Sequence, residues 1–405
     1  MKLLIISPGY LTMPAINGGA IEGLIDTITE ENEIYKKATF IIYSISDGNK
    51  IPINNKKNTV YKYININSKK YKLKRLFLAL INKIPNVYVG KAYIREVIKM
   101  IKKENEEFDA IIVENNPIFA IPLRKNFKCP IILHLHNDYL NNTSKLATKT
   151  LNSLTQILTV SNYIGNRIKT IDPKTTKVKT LYNGIDLQKF NKKITKNEKE
   201  EFLKKYNIDS NQKVILYTGR IMPEKGVKEL ITAFLNVKMT HNNLKLLIVG
   251  SSFFKNAKLT PYQQELKKMC AGHESDIIFT GYIDHDKIVN VYKSCDIQVV
   301  PSIWGEPLAT TVIEGMASGI PLIVNNVGGI PEMVDKECAL FCETKTLIND
   351  IEKNINLLLE DKNNLRKKLT TNSLSKVKTF EKSIFYSNYI DNIETIIKTK
   401  DVYNG

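Results

Sequence analysis

Two glutamates, Glu306 and Glu314, stand eight positions apart where the apolar, strand-like run 297–302 gives way to a helix. This spacing puts Glu306 on the loop beyond the strand and Glu314 about two turns along the helix. Between them, Thr310 and Thr311 present backbone amides at a helix N-terminus, where an anion such as a diphosphate is favoured. Glu306 would then reach a sugar and Glu314 would reach ribose hydroxyls. Alternatively, Glu306 is a helix-start acid favoured by the dipole and Glu314 is a solvated helix residue.

A second group of polar residues follows the apolar run 214–217. Gly219 permits a tight turn after that strand, and Gly226 precedes the next helix. Arg220 and Lys225 place two cations outside the carboxyl end of the expected sheet, where open α/β folds bind ligands. A departing diphosphate needs its charge neutralised, and these cations would supply that. The alternative is that both are surface cations of a lysine-rich chain.

The elements that must position these residues form two sets of strands and helices. In the first half we predict strands at 2–7, 39–44, 110–113, 131–135, 157–160 and 179–181, and helices at 20–31, 93–103 and 118–126. In the second half we predict strands at 214–217, 244–249, 277–280, 297–300 and 321–324, with helices between them and a helical tail from about 347 to 398. Continuous β-branched runs separated by helices predict parallel sheets covered on both faces.

The domain organisation follows from the length of 405 residues and the break between the two sets. The polar, charged segment 191–211 is the best candidate for an interdomain stretch. We predict an α/β protein with an N-terminal Rossmann-like domain over 1–190, a second over 191–380, and a C-terminal helix over 381–405 that packs back on the first domain.

Composition restricts the class of protein. Apolar residues make up 43% of the chain, enough for two cores. No run of about 18 apolar residues appears, so no transmembrane helix is expected, and the short apolar start reads as a strand rather than a signal peptide. The five scattered cysteines form no CxxC pair, which suits a reducing cytosol.

The net charge of +18 is unevenly distributed. Residues 50–103 carry fifteen Lys and Arg against one acid, Glu96, although a general lysine excess could account for part of this. The segment 69–80 mixes cations with apolar residues and could lie on an anionic membrane surface. Its cations are Lys69, Lys70, Lys72, Lys74 and Arg75. The chain lacks the interleaved aromatic and basic residues of an RNA-binding motif, so nucleic acid is not an expected partner.

The order of short motifs in the second half resembles the retaining nucleotide-sugar glycosyltransferases of family 4, which have the GT-B architecture of two facing Rossmann-like domains around a cleft. The matching pieces, whose combination is specific, are Gly219-Arg220, Glu224-Lys225-Gly226, Val249-Gly250, Gly281-Tyr282, Cys295-Asp296, Pro301-Ser302, Glu306 with Glu314, 315–321 and 328–332. The first half matches more loosely, through Gly18-Gly19, His136, Val160-Ser161 and 183–186.

The resemblance implies roles for the residues of the second half. Arg220 and Lys225 would bind the donor diphosphate, together with loop amides around Thr310 and Thr311. Glu306 would contact the transferred sugar, and Glu314 the nucleotide ribose. The usual Phe-Gly after Glu-Pro is here Leu308-Ala309, a departure that alanine tolerates at a helix start.

In the first half, the resemblance implies that Gly18 and Gly19 lie near the phosphates or the acceptor, and that a histidine lies at the sugar. The family's His-Asp is here His136-Asn137-Asp138, with His134 two residues earlier. Strand alternation puts both histidines on one face. We favour His136, which is nearer the strand's end, as the catalytic histidine, and His134 as a hydrogen-bonded core residue.

Metal binding is not expected. Asp284-His285-Asp286 spells the manganese-binding signature of a different transferase architecture, but here it precedes a helix that an acid would cap. With Arg220 and Lys225 available, we expect no metal and no cofactor.

We therefore predict a retaining glycosyltransferase that moves a hexose or N-acetylhexosamine from a nucleotide sugar, UDP-linked by base rate, to a cell-surface glycan or a lipid-linked acceptor. We expect it in the cytoplasm, peripheral on the inner face of the plasma membrane. Two alternatives are a nucleotide-sugar epimerase of the same fold and a non-catalytic, basic membrane-binding protein.

Overall fold

The computed structural model describes residues 1–16, 18–48, 56–83, 90–251 and 259–404, in two compact units. Unit 1 comprises Met1–Gly184 and Lys382–Gly405, and unit 2 comprises Ile185–Glu381. None of the described helices combines the length and the apolar character that crossing a membrane requires.

Unit 1 contains a parallel sheet of seven strands in the order β3-β2-β1-β4-β5-β6-β7. Its strands are β1 Lys2–Ile6, β2 Thr39–Ser46, β3 Thr59–Asn65, β4 Ala110–Glu114, β5 Ile131–Leu135, β6 Gln156–Thr159 and β7 Val178–Thr180. Its first six helices are α1 Ala20–Tyr35, α2 Lys69–Ile81, α3 Ala92–Glu104, α4 Ala120–Arg124, α5 Ala147–Ser153 and α6 Asn162–Lys169.

Unit 2 contains a parallel sheet of six strands in the order β10-β9-β8-β11-β12-β13. These are β8 Lys213–Thr218, β9 Leu244–Val249, β10 Ile277–Gly281, β11 Ile297–Val300, β12 Leu322–Asn325 and β13 Ala339–Cys342. The helices are α7 Leu187–Asn191, α8 Lys196–Lys205, α9 Val227–Lys238, α10 Pro261–Met269, α11 Ile288–Ser294, α12 Thr310–Ser318, α13 Ile330–Met333, α14 Leu347–Glu360 and α15 Leu365–Lys376. The chain ends in α16, Lys382–Asn404, which belongs to unit 1.

Short 3₁₀ turns complete the regular structure. They are Pro117–Phe119, Pro223–Lys225, His285–Lys287, Thr344–Thr346, Lys362–Asn364 and Val377–Phe380.

Interior strands of both parallel sheets are buried on both faces, because the crossover helices cover them. Every residue of β4, β5 and β9 is buried, as a sheet covered by helices on both sides requires. In unit 1, α1 and α16 cover one face, where Ile25, Phe385 and Tyr389 share a core with the strand residues Leu3 and Ile5. The prediction of two Rossmann-like α/β units is confirmed.

The chain passes from unit 1 to unit 2 between Gly184 and Ile185, six positions before the expected boundary at 190. The reason is that the short helix α7 already belongs to unit 2, where Phe190 is buried with its ring 6.2 Å from that of Tyr292. The segment 191–211, which we interpreted as interdomain, also lies inside unit 2, and its helix α8 buries Leu203.

In each unit the strand order reverses once, between β1 and β4 in unit 1 and between β8 and β11 in unit 2. Ligands of open α/β sheets bind outside the carboxyl ends of the strands at such a point. The loops that follow β8 and β11 carry the residues singled out in the second half, and the loop after β1 carries Gly18 and Gly19.

Candidate active site

The loop after β8 is fixed against the end of β11 by Gly226. This residue has a φ of 68°, and a Cβ there would lie 2.0 Å from the carbonyl oxygen of Pro301. Only glycine fits both the left-handed backbone and the close approach. The Ile303 amide also donates to the Glu224 carbonyl at 3.0 Å. These backbone contacts bring Lys225, at the end of its 3₁₀ turn, to the loop that carries Glu306.

Glu306 is buried, with 4% of its surface exposed, and two side chains bind its carboxylate. The Lys225 ammonium forms an ion pair with Glu306 Oε1, and the Ser302 hydroxyl donates to the same oxygen at 2.6 Å. The ammonium also lies 5.8 Å from the ring centroid of Trp304. Two predicted site residues, Lys225 and Glu306, therefore meet.

The backbone of Glu306 is held by the Gly328-Gly329 pair beyond β12. The Gly329 amide donates to the Glu306 carbonyl at 2.7 Å. Gly328 has a φ of 58°, and a Cβ there would lie 2.2 Å from that same carbonyl oxygen. The glycine pair thus sets the position of the Glu306 loop.

Glu314 lies on α12 and is also buried, with 9% of its surface exposed, so it is not the solvated residue of the alternative interpretation. The Tyr292 hydroxyl donates to Glu314 Oε2 at 2.7 Å, and Tyr292 is in turn 2.9 Å from the Thr218 hydroxyl. Burial, and then the Glu314 charge, raise the pKa of Tyr292 well above its ordinary value. Tyr292 therefore stays a neutral donor that orients the carboxylate.

The first turn of α12 leaves amides available to a ligand. The N-cap is Ala309, which has no side-chain acceptor, so the amides of Thr310 and Thr311 receive no capping bond from it. The Thr311 carbonyl accepts from Gln298 Nε2 at 3.0 Å, which fixes the start of the helix to β11.

A cavity of about 370 Å³ opens at the carboxyl ends of β8 and β9, within the size range of ligand pockets. Three predicted site residues line it, namely Arg220, Thr311 and Glu314. Most of the remaining lining is small or apolar, formed by Thr218, Gly219, Val249, Gly250, Ser251, Tyr282, Ile283 and Ile288. Among the described residues, Arg220 makes no ion pair, and its side chain is exposed at the cavity.

In unit 1 the two histidines converge on a carboxylate that the sequence analysis did not single out. Glu114, at the end of β4, accepts on Oε2 from His136 Nε2 at 3.0 Å and on Oε1 from His134 Nδ1 at 3.4 Å. His134 Nδ1 also lies 3.1 Å from Oε2. The imidazole centroids are 4.1 Å apart, so the expectation that both lie on one face is confirmed. Glu114 and His134 are wholly buried, whereas His136 keeps 8% of its surface exposed.

Burial and the contacts within this cluster determine the protonation states of Glu114 and His136. Burial alone would raise the pKa of Glu114, but the adjacent imidazoles His134 and His136 outweigh it and lower that pKa to about 2. Burial, followed by the neighbouring His134, lowers the pKa of His136 to about 4. At neutral pH, Glu114 is ionised and His136 is neutral, with its proton on Nε2. His136 Nδ1 is then an acceptor, and it has no partner among the described residues.

The same three residues are the group of described side chains whose ligand atoms lie close enough to hold a metal, all within 4.8 Å of one another. In this structure the two imidazoles contact the Glu114 carboxylate directly. Asp286, of the D-x-D sequence, forms an exposed ion pair with Lys189 at 3.2 Å.

Gly18 and Gly19 precede α1 with φ values of 76° and 112°. A Cβ on Gly19 would lie 2.3 Å from Oε2 of Glu22, a buried residue in the first turn of α1. Burial raises the pKa of Glu22, and the charge of Glu114 raises it further. The start of α1 therefore lies near the Glu114 cluster.

The fold and these sites define a class of protein. Two parallel-sheet Rossmann-like units form the GT-B fold, which Anabaena HepE in complex with UDP-glucose shares at a TM-score of 0.71, with 17% identity over 98% of this chain and 100% of that one. The family model described as "Glycosyl transferases group 1" matches residues 198–376, and "Glycosyltransferase Family 4" matches 64–189. The chain belongs to glycosyltransferase family 4 and is a glycosyltransferase.

Two relatives are similar in sequence. The Bacillus subtilis protein YtcC, which bears a glycosyltransferase name, is 29% identical over 345 residues, 83% of this chain and 78% of its own. The lipopolysaccharide 1,2-N-acetylglucosaminetransferase of Salmonella typhimurium is 25% identical over 245 residues, 60% of this chain and 61% of its own. Membership of a transferase family favours transfer over the epimerase and the non-catalytic alternatives.

Sequence reasoning assigned no role to the residues that hold the predicted ones in place. Ser302 and Trp304 stand four and two positions before Glu306, and their proximity in sequence was the available signal. Tyr292 and Glu114 come from other segments of the chain, and nothing in the local sequence marks them as partners of Glu314 or His136.

Proposed function

We propose that this glycosyltransferase takes a hexose or N-acetylhexosamine from a nucleoside diphosphate sugar and transfers it with retention of anomeric configuration. The observation that carries the proposal is the cavity of unit 2. Arg220 and the α12 amides suit a diphosphate, Glu314 suits ribose hydroxyls, and the apolar part around Ile283 and Ile288 suits a planar base. A uridine donor is the preferred choice because HepE has the same fold and was solved with UDP-glucose.

The ion pair between Lys225 and Glu306 supports a role for both in sugar transfer. A buried carboxylate must be paired, and without a donor its partners are Lys225 and Ser302. We propose that the donor diphosphate draws the Lys225 ammonium to itself. The Glu306 carboxylate then turns to accept hydrogen bonds from sugar hydroxyls. The two residues would exchange one partner for another as the donor binds.

The chemical step would be a same-face substitution. The bond from the anomeric carbon to the phosphate oxygen breaks, and its electron pair leaves with the diphosphate. The acceptor oxygen bonds to the same face of the sugar, and the acceptor proton passes to the departing phosphate oxygen. Arg220, Lys225 and the amides of Thr310 and Thr311 would stabilise the diphosphate charge, so no metal is needed.

Unit 1 would supply a sugar contact of its own. The lone pair on His136 Nδ1 can accept a hydrogen bond from a sugar hydroxyl, because Glu114 holds the proton on the other ring nitrogen. Gly18 and Gly19, at the start of α1, would lie near the diphosphate or the acceptor. His134, wholly buried, is better suited to fixing Glu114.

The acceptor is proposed to be a cell-envelope glycan or a lipid-linked sugar. The named activity of the Salmonella relative concerns lipopolysaccharide, which supports an envelope acceptor. We propose that the protein works in the cytoplasm, at the inner face of the plasma membrane.

The test is a screen of nucleotide sugars for donor hydrolysis and binding, with Lys225→Met and Glu306→Gln beside the wild type. Each variant should lose about a hundredfold or more in turnover of the one donor that responds, because each removes a charge used in the transition state. Lys228→Met is the matched control. Lys228 stands three positions after Lys225, and it forms an exposed ion pair with Glu265. The wild-type rate should be the same in EDTA.

Full turnover in either site variant would remove Lys225 or Glu306 from the mechanism. Conversion of the donor into its epimer would replace transfer by epimerisation. A rate abolished by EDTA and restored by a divalent cation would overturn the metal-free step.

A further inference from the structure

Helix α2 presents an apolar face to solvent. Leu73, Leu76, Phe77 and Leu80 are 69%, 62%, 61% and 64% exposed, at the i, i+3, i+4, i+7 spacing that places them on one side of a helix. The one buried residue of α2 is Leu78, which lies on the opposite side. A contiguous apolar face of this kind marks a surface that contacts a partner or a membrane.

The orientation of α2 is fixed by contacts within unit 1. Lys74, on the inner side of the helix, forms an ion pair with Glu96 of α3. Ser68 is the N-cap and accepts from the Tyr71 amide at 3.2 Å. At the other end, Asn82 Nδ2 donates to the Gly90 carbonyl at 3.1 Å. The helix therefore holds its apolar side outward by packing on its other side.

Cations border the apolar face. At 100° per residue, Lys72 falls along one edge and Lys70 along the other, and Lys69 lies in line with the face, one turn before Leu73. All three are exposed. Arg75 is exposed further round the helix. Lys74 does not belong with them, because it is committed to Glu96. An apolar strip between cationic edges matches the boundary of an anionic bilayer, where acyl chains lie beneath phosphate groups.

We propose that α2 is an in-plane membrane helix, which inserts Leu73, Leu76, Phe77 and Leu80 among the acyl chains of an anionic bilayer while Lys69, Lys70 and Lys72 contact lipid phosphates. This proposal rests on the proposed function and extends it, because it names the surface at which the enzyme would meet a lipid-linked acceptor. The binding itself needs no donor and can be measured apart from transfer.

The test is co-sedimentation of the full chain with vesicles of phosphatidylcholine, with and without phosphatidylglycerol. Wild type should bind the anionic vesicles and bind them less in high salt. Leu76→Ser with Phe77→Ser should lower the partition coefficient about tenfold or more, because two large apolar side chains no longer insert. Met239→Ser is the control, since Met239 is 80% exposed on unit 2 and should leave binding unchanged.

A second variant set separates insertion from simple charge attraction. Lys69→Gln with Lys70→Gln and Lys72→Gln should remove the preference for phosphatidylglycerol. Phe77→Trp should show a blue-shifted emission with vesicles, beyond that of the single native tryptophan, Trp304. Vesicle binding that the serine variant retains in full would overturn insertion, and so would an unshifted tryptophan.

The apolar face could instead be covered by a second copy of the chain. A dimer that the serine variant abolishes, with no vesicle binding by wild type, would overturn the membrane proposal. Donor hydrolysis in solution keeps the two proposals distinguishable: the serine variant should hydrolyse donor as wild type does. Vesicle binding without hydrolysis of any donor would count against the proposed function alone.

Discussion

Buried carboxylates in both units are matched with specific basic or hydroxyl partners. Glu306 has Lys225 and Ser302, whereas Glu114 has two imidazoles. The two clusters should respond differently to a bound anion. A lysine keeps its charge and can be drawn away by the anion, whereas a neutral histidine presents a fixed tautomer. We infer that the Glu306 cluster is built to exchange partners and that the Glu114 cluster is built to hold one geometry.

The low pKa of His136 predicts a loss of stability in mild acid. The folded-state value is about 4 against 6.5 for the free side chain, so as pH falls the unfolded chain takes up the proton first. Stability should therefore drop as the pH falls from about 6.5 to about 4. His136→Gln keeps a donor for Glu114 and should flatten that slope in urea unfolding, measured at several pH values.

An unchanged slope in His136→Gln would show that His136 is not the residue that takes up the proton. Below about pH 4.5, Glu114 adds a further loss of the same sign, because its folded pKa of about 2 lies below its ordinary value.

At the residue scale, sequence reasoning succeeded where neighbours in the chain carry the chemistry. The spacing of Glu306 and Glu314 and the loop with Arg220 and Lys225 were sufficient to place these residues near the edge of a sheet. The burial of both glutamates could not be read from spacing, because it depends on residues from other strands and helices. Tyr292 is 22 positions from the glutamate that it orients.

Among the elements, the glycine turns between strands and helices set the active-site loops. Gly226 lets the β8 loop approach Pro301, and Gly328 lets the loop beyond β12 approach the Glu306 backbone. Both use a left-handed backbone and a separation that no Cβ would allow. The strands form the carboxyl edge of the sheet, and these turns determine which side chains come together at that edge.

Gly328→Ala should therefore cost both stability and activity. The backbone conformation at φ 58° disfavours alanine by about 1–2 kcal/mol, and the added Cβ would also collide with the Glu306 carbonyl. Gly272→Ala is the matched control, because Gly272 has a φ of 80° but no atom within 4 Å of an added Cβ. Both variants should lose stability in urea unfolding, and only Gly328→Ala should also lose donor turnover. Equal turnover in the two would contradict the role given to Gly328.

At this scale the regular strands were predictable and several other elements were not. The buried runs 131–135 and 244–249 matched β5 and β9 to the residue, because parallel strands are apolar throughout. Strand β3 was missed: it mixes polar and apolar residues without a regular period at the sheet edge, in a segment rich in lysine. The exposed apolar side of α2 depends on how the helix packs, which the mixture of residues in 69–80 does not determine.

For the whole molecule, the chain order does not match the division into units. Unit 1 is closed by α16, which returns after the whole of unit 2. The Tyr386 hydroxyl donates to Asn32 Oδ1 of α1 at 2.6 Å, and Tyr389 is wholly buried in the same core. We predicted a C-terminal helix over 381–405 that packs on the first domain, and the buried residues Phe385, Tyr389 and Ile393 recur at successive turns of α16. A chain that ends before α16 would leave part of this face of the unit 1 sheet covered by α1 alone.

Phe385→Ala should accordingly destabilise unit 1 by about 3–5 kcal/mol, since Phe385 is 2% exposed and the change leaves a cavity. The neighbouring Ile384→Ala is the matched control, because Ile384 is 42% exposed on the same helix and should cost little. Hydrogen exchange should show faster exchange in Phe385→Ala across β1, β2 and α1, while β8 to β13 keep their protection. Faster exchange confined to unit 2, or equal effects of the two variants, would refute the assignment of α16 to the core of unit 1.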